Sequence, residues 1–600
     1  MTVTGTGVLT ARAKDGVSLK KSDGDLVINT VYASEGDVRL DVGKNNSLLA
    51  EDGHDTSGDE TGTTYTNVEG KNITITNAKN IKGASDGASL GMKVTGTKAE
   101  DGSETPGVIT AHAKGDADIT LFGEAASEAI DIEAEDLTIT SRGNISNGNY
   151  QARKALRVHT AQNNTISGGN FSGGTADITN AGIMTGGVYT AKGDLTYTDS
   201  ENASLSGSDF TSKEGNVTVT AKGQLALKEL SAKKSATVEA DHDVTLTEAE
   251  AGTLAISSGG SVNAGTLTAT TGDAKITAKK DVTIGTLDVK EHAELTSGGD
   301  MVLHEAEAGG TLTADAGGSI SVKGTDAKIS AADITMHAGE DIRITDRSPV
   351  GKLDGVDTSV SAGSTTGSGA AGSLVTGEAK PHDFDASRKG SALLSSAGGK
   401  VTLSAKKVEI DTLKNGEGGT ADLKISADNI GIDDLAGTGA QHVTIHGKDG
   451  QSQAHYAGIH STAEGGTLVK DSAVEHLHLT GREPLGLSNT AIGGDSVLAT
   501  DKIRVTIQKN PGSSQAEHFG NLSLSGYDIA TDHVMTSVKD GVTVNGERFP
   551  MTAESVMNAS LYEDRTLGRD GREKEEEAEK DSPSLSFSEP NEKEAYEVVK

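Results

Sequence analysis

Between residues 215 and 346 the chain repeats one short phrase six times: two runs of alternating apolar and polar residues parted by a turn. NVTVTA is followed by QLAL, ATVEA by DVTLT, TLAIS by SVNA, AKITA by DVTI, AELTS by DMVL and TLTAD by SISV. Alternation with a period of two marks a strand with one buried face. Aligned on the second run, one apolar column reads Leu225, Val244, Val262, Val282, Met301 and Ile320, at spacings of 19, 18, 20, 19 and 19 residues. Two residues on stand Leu227, Leu246, Ala264, Ile284, Leu303 and Val322. The first run adds Val217, Ala236, Leu254, Ala274, Ala293 and Leu312, and then Val219, Val238, Ile256, Ile276, Leu295 and Ala314. The turns between the runs (AKG, ADHD, SGG, AKKD, SGGD, DAGG) carry Gly and Asp, which ease corners that need positive φ. EAEAG at 248–252 recurs at 305–309, an offset of 57 residues or three periods of 19.

A unit this short cannot bury its apolar side alone, whereas stacked coils can. The predicted fold is therefore all-β: a parallel β-helix, or β-solenoid, whose coils pair ~4.8 Å apart with the four columns facing inward. Weaker copies lie at 36–42, 72–78, 115–121, 136–141 and 193–198, and again at 400–410, 421–426, 442–447, 502–507, 521–526 and 541–546. At about 20–24 residues per coil the chain would make roughly two dozen coils and a rod on the order of 120 Å.

Composition agrees. Aromatic residues are 3% and Trp is absent, so the core must come from small and β-branched side chains repeated many times. Gly is 77 of 600 without a three-residue period and Pro is only 8, which excludes collagen and Pro-rich linkers. The net charge of −34 repels phosphate backbones, so no nucleic-acid partner is expected. Zero Cys removes disulfides, thiolate metal sites and thiol catalysis, and suits a long chain exported unfolded. No stretch of 18 apolar residues occurs, so no transmembrane segment is expected. MTVTGTGVLT has neither a basic start nor a long apolar run, and it alternates as a strand from the outset. The chain thus reads as a piece of something longer.

The expected division is β-helix over 1–350, a Ser/Gly/Ala-rich mobile insertion over 351–399, and β-helix again over 400–549. A short helical cap is expected at 550–566, where Val556, Met557 and Leu561 follow Pro550 at helical spacing. The charged remainder, 567–600, reads as a disordered acidic tail, and the acidic stretch 51–66 as a protruding loop.

Units such as GNVTVTAKGQLAL, AKITAKKDVTIGTL and ELTSGGDMVL are similar to the repeats of filamentous-haemagglutinin-type large exoproteins, adhesins of Gram-negative bacteria. The resemblance spans roughly 1–550 and is strongest at 215–346. It implies a right-handed β-helix, two-partner secretion through an outer-membrane export partner, a secreted or cell-surface location, and attachment to surfaces. The secretion domain that opens such proteins has no counterpart here, and neither does a C-terminal membrane barrel. The chain thus resembles the shaft and C-terminal end of an adhesin.

Several residue groups invite a sharper chemistry. His442, His446, His455, His460, His476 and His478 cluster in sequence, and His476 and His478 share a strand face as two imidazoles able to hold a metal. Spacing supplies no third ligand, so solvated histidines are the plainer reading. Asp52, His54, Asp55, Asp59 and Glu60 could gather Ca²⁺, but they follow neither EF-hand nor nonapeptide spacing. Lys114-Gly115-Asp116 and Lys192-Gly193-Asp194 spell an integrin tripeptide, yet both stand where a turn wants Gly-Asp. Thr74/Thr76, Thr138/Thr140, Thr218/Thr220 and Thr245/Thr247 resemble an ice-binding ladder but change place from coil to coil, as β-propensity alone would give. Sequons at Asn72, Asn144, Asn170, Asn202, Asn216, Asn521 and Asn558 are what this composition yields by chance.

No catalytic, cofactor or metal residue is assigned and no cofactor is expected. The expected function is a non-catalytic shaft and binding surface of a secreted adhesin, with host cell-surface or matrix molecules, glycans among them, as partners. The alternative is a β-helix lyase or hydrolase acting on polysaccharides. Such an enzyme needs converging carboxylates and aromatic sugar platforms, and the repeat supplies neither.

Overall fold

The computed structural model describes residues 1–51, 54–55, 66–105, 107–122, 129–200, 203–322, 324, 326–345, 390–481 and 483–500, and strands within 505–549. It is a parallel β-solenoid of about 21 turns, and among the described residues there is no helix. The chain forms two compact units, Met1–Lys280 and Asp281–Lys600, each of them a stack of coils.

In the first unit the aligned columns are the pairing register itself. Leu225 pairs with Val244 and Val244 with Val262; Val217, Ala236, Leu254 and Ala274 follow one another in the same way. In the second unit Val282 pairs with Met301 and Met301 with Ile320, while Ala293 pairs with Leu312. Every residue of the four columns is buried except Val322, which closes the short strand Ile320–Val322 and is only half-buried.

Each coil holds a third inward strand as well. Leu230, Ala249 and Leu267 stack in one column, and Ala232, Ala251 and Ala269 in the next. The EAEAG echo belongs to this strand: its alanines point in and its glutamates out. The corner before it needs no glycine. Two successive exposed residues, Lys228-Glu229 or Thr247-Glu248, shift the phase of alternation and turn the chain within one long strand, Leu225–Ala240 or Val244–Ser258.

Corner carboxylates and amides are spent on stacking. Asp25 Oδ1 accepts the Ser47 N–H at 2.7 Å, Asp136 the Ala155 N–H at 2.9 Å and Asp243 the Ser261 N–H at 2.7 Å. In the second unit Asp281 caps Asp300 at 2.9 Å, and Asp300 caps Ser319 at 2.8 Å. Most of these links join residues one coil apart, so the recurrent Asp of the turn satisfies a backbone donor that the corner would otherwise leave unpaired.

The first unit also contains an internal aromatic ladder. Tyr150, Phe171, Tyr189 and Phe210 pair in register and are at most 1% exposed. Their rings stack at 4.4 and 4.6 Å, then meet edge-on at 5.2 Å. Gly169 and Gly187, at φ +93° and +86°, precede two of these rings by two residues, and a Cβ there would stand 3.0 and 3.1 Å from ring carbons.

The insertion ends earlier than its composition suggests. Leu393–Ser404 is already the next strand, in register with Lys328–Ala338 through Ile329–Leu394 and Ile334–Val401. Ala392 and Leu394 are fully buried, so 390–399 is solenoid whose small residues disguise an inward alternation. The sequence copies around 505, 521 and 541 fall on Val505–Gln508, Glu517–Ser525 and Thr536–Val544. The remainder of the insertion, the cap at 550–566 and the tail at 567–600 lie outside the described residues. Antiparallel pairing occurs at three places: His54–Asp55 with Ala88–Val94, Thr97–Lys98 with Glu104–Thr105, and Thr536–Val544 with Glu547–Phe549.

Candidate functional site

Of the acidic stretch 51–66, Glu51, Thr66 and the backbone of His54–Asp55 fall within the described residues, and Asp52, Asp59 and Glu60 lie outside them. The two Lys-Gly-Asp turns do what a solenoid corner needs. Asp194 Oδ1 accepts from both the backbone and the side chain of Asn216, at 2.9 and 3.1 Å, and the Asp116 N–H donates to Asn80 at 3.0 Å.

The Thr pairs make no continuous ladder. Thr196, Thr218 and Thr237 are in register, but Thr138 stands between Asp118 and Arg157, and Thr245 between Ala226 and Asn263. Three sequon asparagines are committed to neighbouring coils. Asn72 bridges Val108 and Asp37 at 2.8 Å each, Asn144 accepts from Thr165 at 3.1 Å, and Asn216 accepts from the Ser235 hydroxyl at 2.7 Å. Asn170 is exposed on its strand; Asn202 and Asn558 are outside the described residues, as is the side chain of Asn521.

The histidines fall in the second unit and divide by environment. His442 accepts from Lys470 Nζ at 2.8 Å, with Asp422 3.8 Å away. Burial, with the Lys470 cation beside it, pushes its pKa down and keeps it neutral. His460 meets Thr480 Oγ1 at 2.9 Å. His446 is half-buried, with a buried Nδ1 that has no hydrogen-bond partner. His476 and His478 do share a face, opposite Tyr456 and Gly458 of the preceding coil.

The closer association joins two coils rather than two neighbours in sequence. His455 Nδ1 is 2.5 Å from Glu475 Oε2, Glu475 Oε1 is 3.8 Å from His476 Nε2, and the two imidazole rings stand 5.8 Å apart at 83°. A 20-residue separation in a region without a fixed period hid this trio from spacing arguments.

Two further outer-face groups escape any reading of one-dimensional motifs. Asp118 lies opposite Thr138, which lies opposite Arg157. Burial raises its pKa to about 6, against the pull of Arg157 and Lys82. In the second unit Glu409 sits 3.1 Å from Arg343 and 3.5 Å from Lys407, a largely shielded ionic cluster. Glu409 pairs with cations along and between coils, whereas Asp118 Oδ1 is buried with no hydrogen-bond partner.

No family model, curated protein or solved structure matches the chain.

Proposed function

We propose that the chain is the structural shaft and binding surface of a secreted bacterial adhesin and acts without catalysis. The observation that carries this reading is how polar residues are used. Those that recur, at the corners, are taken up in coil-to-coil hydrogen bonds, as with Asp25, Asp136, Asp243 and Asp300. Those on the outward faces change chemistry from coil to coil, as in the register Thr196, Thr218, Thr237, Ala255, Lys275. A scaffold that repeats inside and varies outside displays a surface. On this reading the chain stands at the cell surface or outside the cell, the parent protein leaves through an outer-membrane export partner, and host cell-surface or matrix molecules, including glycans, are its partners. Specificity resides in the departures from the repeat, residues 51–66 and the insertion that begins at 351.

The test is attachment of purified protein to host cells and immobilised matrix proteins, beside variants lacking 52–65 or 351–385. At least one deletion is expected to weaken binding tenfold or more. Equal binding by both variants moves the contact to the coils, and no attachment at any salt concentration overturns the adhesive reading. The same preparations are offered polysaccharides; release of reducing ends or unsaturated sugars would place the chain among the β-helix enzymes instead.

A further inference from the structure

From the arrangement of one solenoid corner we infer a binding site for a linear anionic polysaccharide, laid along five consecutive coils of the first unit. The corner is formed in turn by Arg153-Lys154, Gly173-Gly174, Lys192-Gly193-Asp194, Lys213-Glu214 and Lys233-Lys234. Backbone bonds stack these turns: the Thr175 N–H donates to Lys154, Lys192 to Gly173, Glu214 to Lys192 and Lys234 to Gly215. All six cations are exposed, against two carboxylates in the same turns, in a chain whose net charge is −34. A second row runs beside the first. On the strands that lead into these turns stand Gln151, Ser172, Thr190, Thr211 and Ser231, paired in register and facing outward. This row ends in a carboxylate on either side, Glu133 opposite Gln151 and Glu250 opposite Ser231, so the uncharged polar stretch and the cationic stretch coincide.

The two rows match a polymer that carries both hydroxyls and a repeated anion. Ammonium and guanidinium groups take its carboxylates or sulfates, while the amide and hydroxyl row exchanges hydrogen bonds with its hydroxyls. Coils ~4.8 Å apart make the five-coil track roughly 19 Å long, so a linear ligand meets the same pair of rows at every step. Three of the cations already hold carboxylates: Arg153 with Glu133 at 2.7 Å, Lys154 with Glu135 at 2.6 Å and Lys192 with Glu214 at 3.8 Å. These pairs are exposed and contribute about 0–1 kcal/mol each, so a polyanion displaces them readily. The chain's surplus negative charge acts from farther away. At ~0.15 M salt the Debye length is about 8 Å, and an anion on the corner is governed by the cations it touches. The rings of the same strands, Tyr150, Phe171, Tyr189 and Phe210, are buried inside the coils. That removes the stacking platform on which a single-stranded nucleic acid would rest its bases.

The experiment measures binding of the full chain to immobilised chondroitin sulfate, polygalacturonate, neutral dextran and single-stranded DNA. The chain is compared with a ridge variant, Lys213→Gln with Lys233→Gln and Lys234→Gln, and with a control of equal charge change elsewhere in the unit, Lys222→Gln with Lys279→Gln and Lys280→Gln. A row variant, Ser172→Ala with Thr190→Val and Thr211→Val, removes hydroxyls and no charge. Each is checked for an unchanged circular-dichroism spectrum, and Lys213→Gln alone replaces the ridge variant if that does not fold. The parent is expected to bind at least one of the two anionic polysaccharides, the choice telling sulfate from carboxylate, and to leave dextran unbound. The ridge variant should bind tenfold or more weakly and the row variant at least threefold, with the control within twofold of the parent. The inference is overturned if neither anionic polysaccharide binds, if the ridge variant binds as the parent does, if the control loses as much as the ridge variant, or if DNA binds as tightly as the polysaccharides. It rests on the display reading above for a location where such polymers are met, and the two fail separately. Cell attachment without polysaccharide binding removes this site alone, and polysaccharide binding without cell attachment removes only the adhesive reading.

Discussion

Tyr189 and Tyr197 are both buried phenols of the first unit, and they differ in one bond. The Tyr197 hydroxyl accepts from Asn180 Nδ2 at 3.0 Å, whereas the Tyr189 hydroxyl is buried with no hydrogen-bond partner. Burial pushes both phenol pKa values up, so neither ionises in the folded state at ordinary pH. An unmade buried hydrogen bond costs roughly 1–3 kcal/mol, while a made one contributes about 1 kcal/mol. Tyr189→Phe is therefore expected to melt at the same temperature or higher, and Tyr197→Phe lower by about 1 kcal/mol, in paired denaturation curves. A loss at Tyr189 as large as that at Tyr197 would mean that its hydroxyl is satisfied.

Asp118 carries a similar cost with a pH signature. Its folded pKa of about 6 lies above the reference value of 3.8. The folded state therefore binds the proton more tightly than the unfolded state. Below about pH 4 both states are protonated and the group costs nothing; stability falls as pH rises through 4 to 6 and stays lowered above. Asp118→Asn is expected to match the parent near pH 4 and to be more stable at pH 7, by at most about 3 kcal/mol for a shift of this size. A constant difference across pH 4–7 would rule out an unpaired carboxylate.

At the scale of the element, the aromatic ladder depends on absent side chains. Gly169 combines φ +93° with a virtual Cβ 3.0 Å from Phe171 Cε2, so alanine there meets both backbone strain and a crowded ring. Gly169→Ala is expected to cost on the order of 1–3 kcal/mol, and to loosen the Phe171 stack with Tyr150 and Tyr189. Near-ultraviolet dichroism should fall with it, while Gly7→Ala, in open space, should change nothing.

The same elements show what a linear reading can and cannot reach. Val244 and Leu246 were legible as inward residues because strict alternation between turns fixes the face. Leu230 and Ala232 were not, since the corner ahead of them is a phase slip at Lys228-Glu229 with no glycine to announce it. Residues 390–399 were lost to their own composition, and the pairing of His455 with Glu475 required a coil length that the irregular region does not display.

For the molecule as a whole, electrostatics sets two tendencies against each other. Coil-to-coil ion pairs such as Lys20–Asp41, Arg153–Glu133 and Lys406–Glu340 attract. They are exposed, and such pairs contribute about 0–1 kcal/mol each. Against them stands an excess of 88 acidic over 54 basic residues, a net −34. Stacking places like charges directly over one another, as Glu229 over Glu248, because register follows the core columns and not the surface. Strands ~4.8 Å apart hold such a pair at a repulsion of about 1 kcal/mol in water, more where the dielectric is lower. Salt screens both kinds of pair, since both are at the surface, so the sign of the response follows the excess. Raising NaCl from about 20 to about 300 mM, which shortens the Debye length from roughly 20 Å to under 6 Å, is therefore expected to raise the melting temperature by a few degrees. The gain should be smaller in a variant carrying Glu248→Gln and Glu250→Gln. A melting temperature that falls with salt would mean that the ion pairs between coils outweigh the surplus charge, and that stacking is held by charge at the surface as well as by the apolar columns inside.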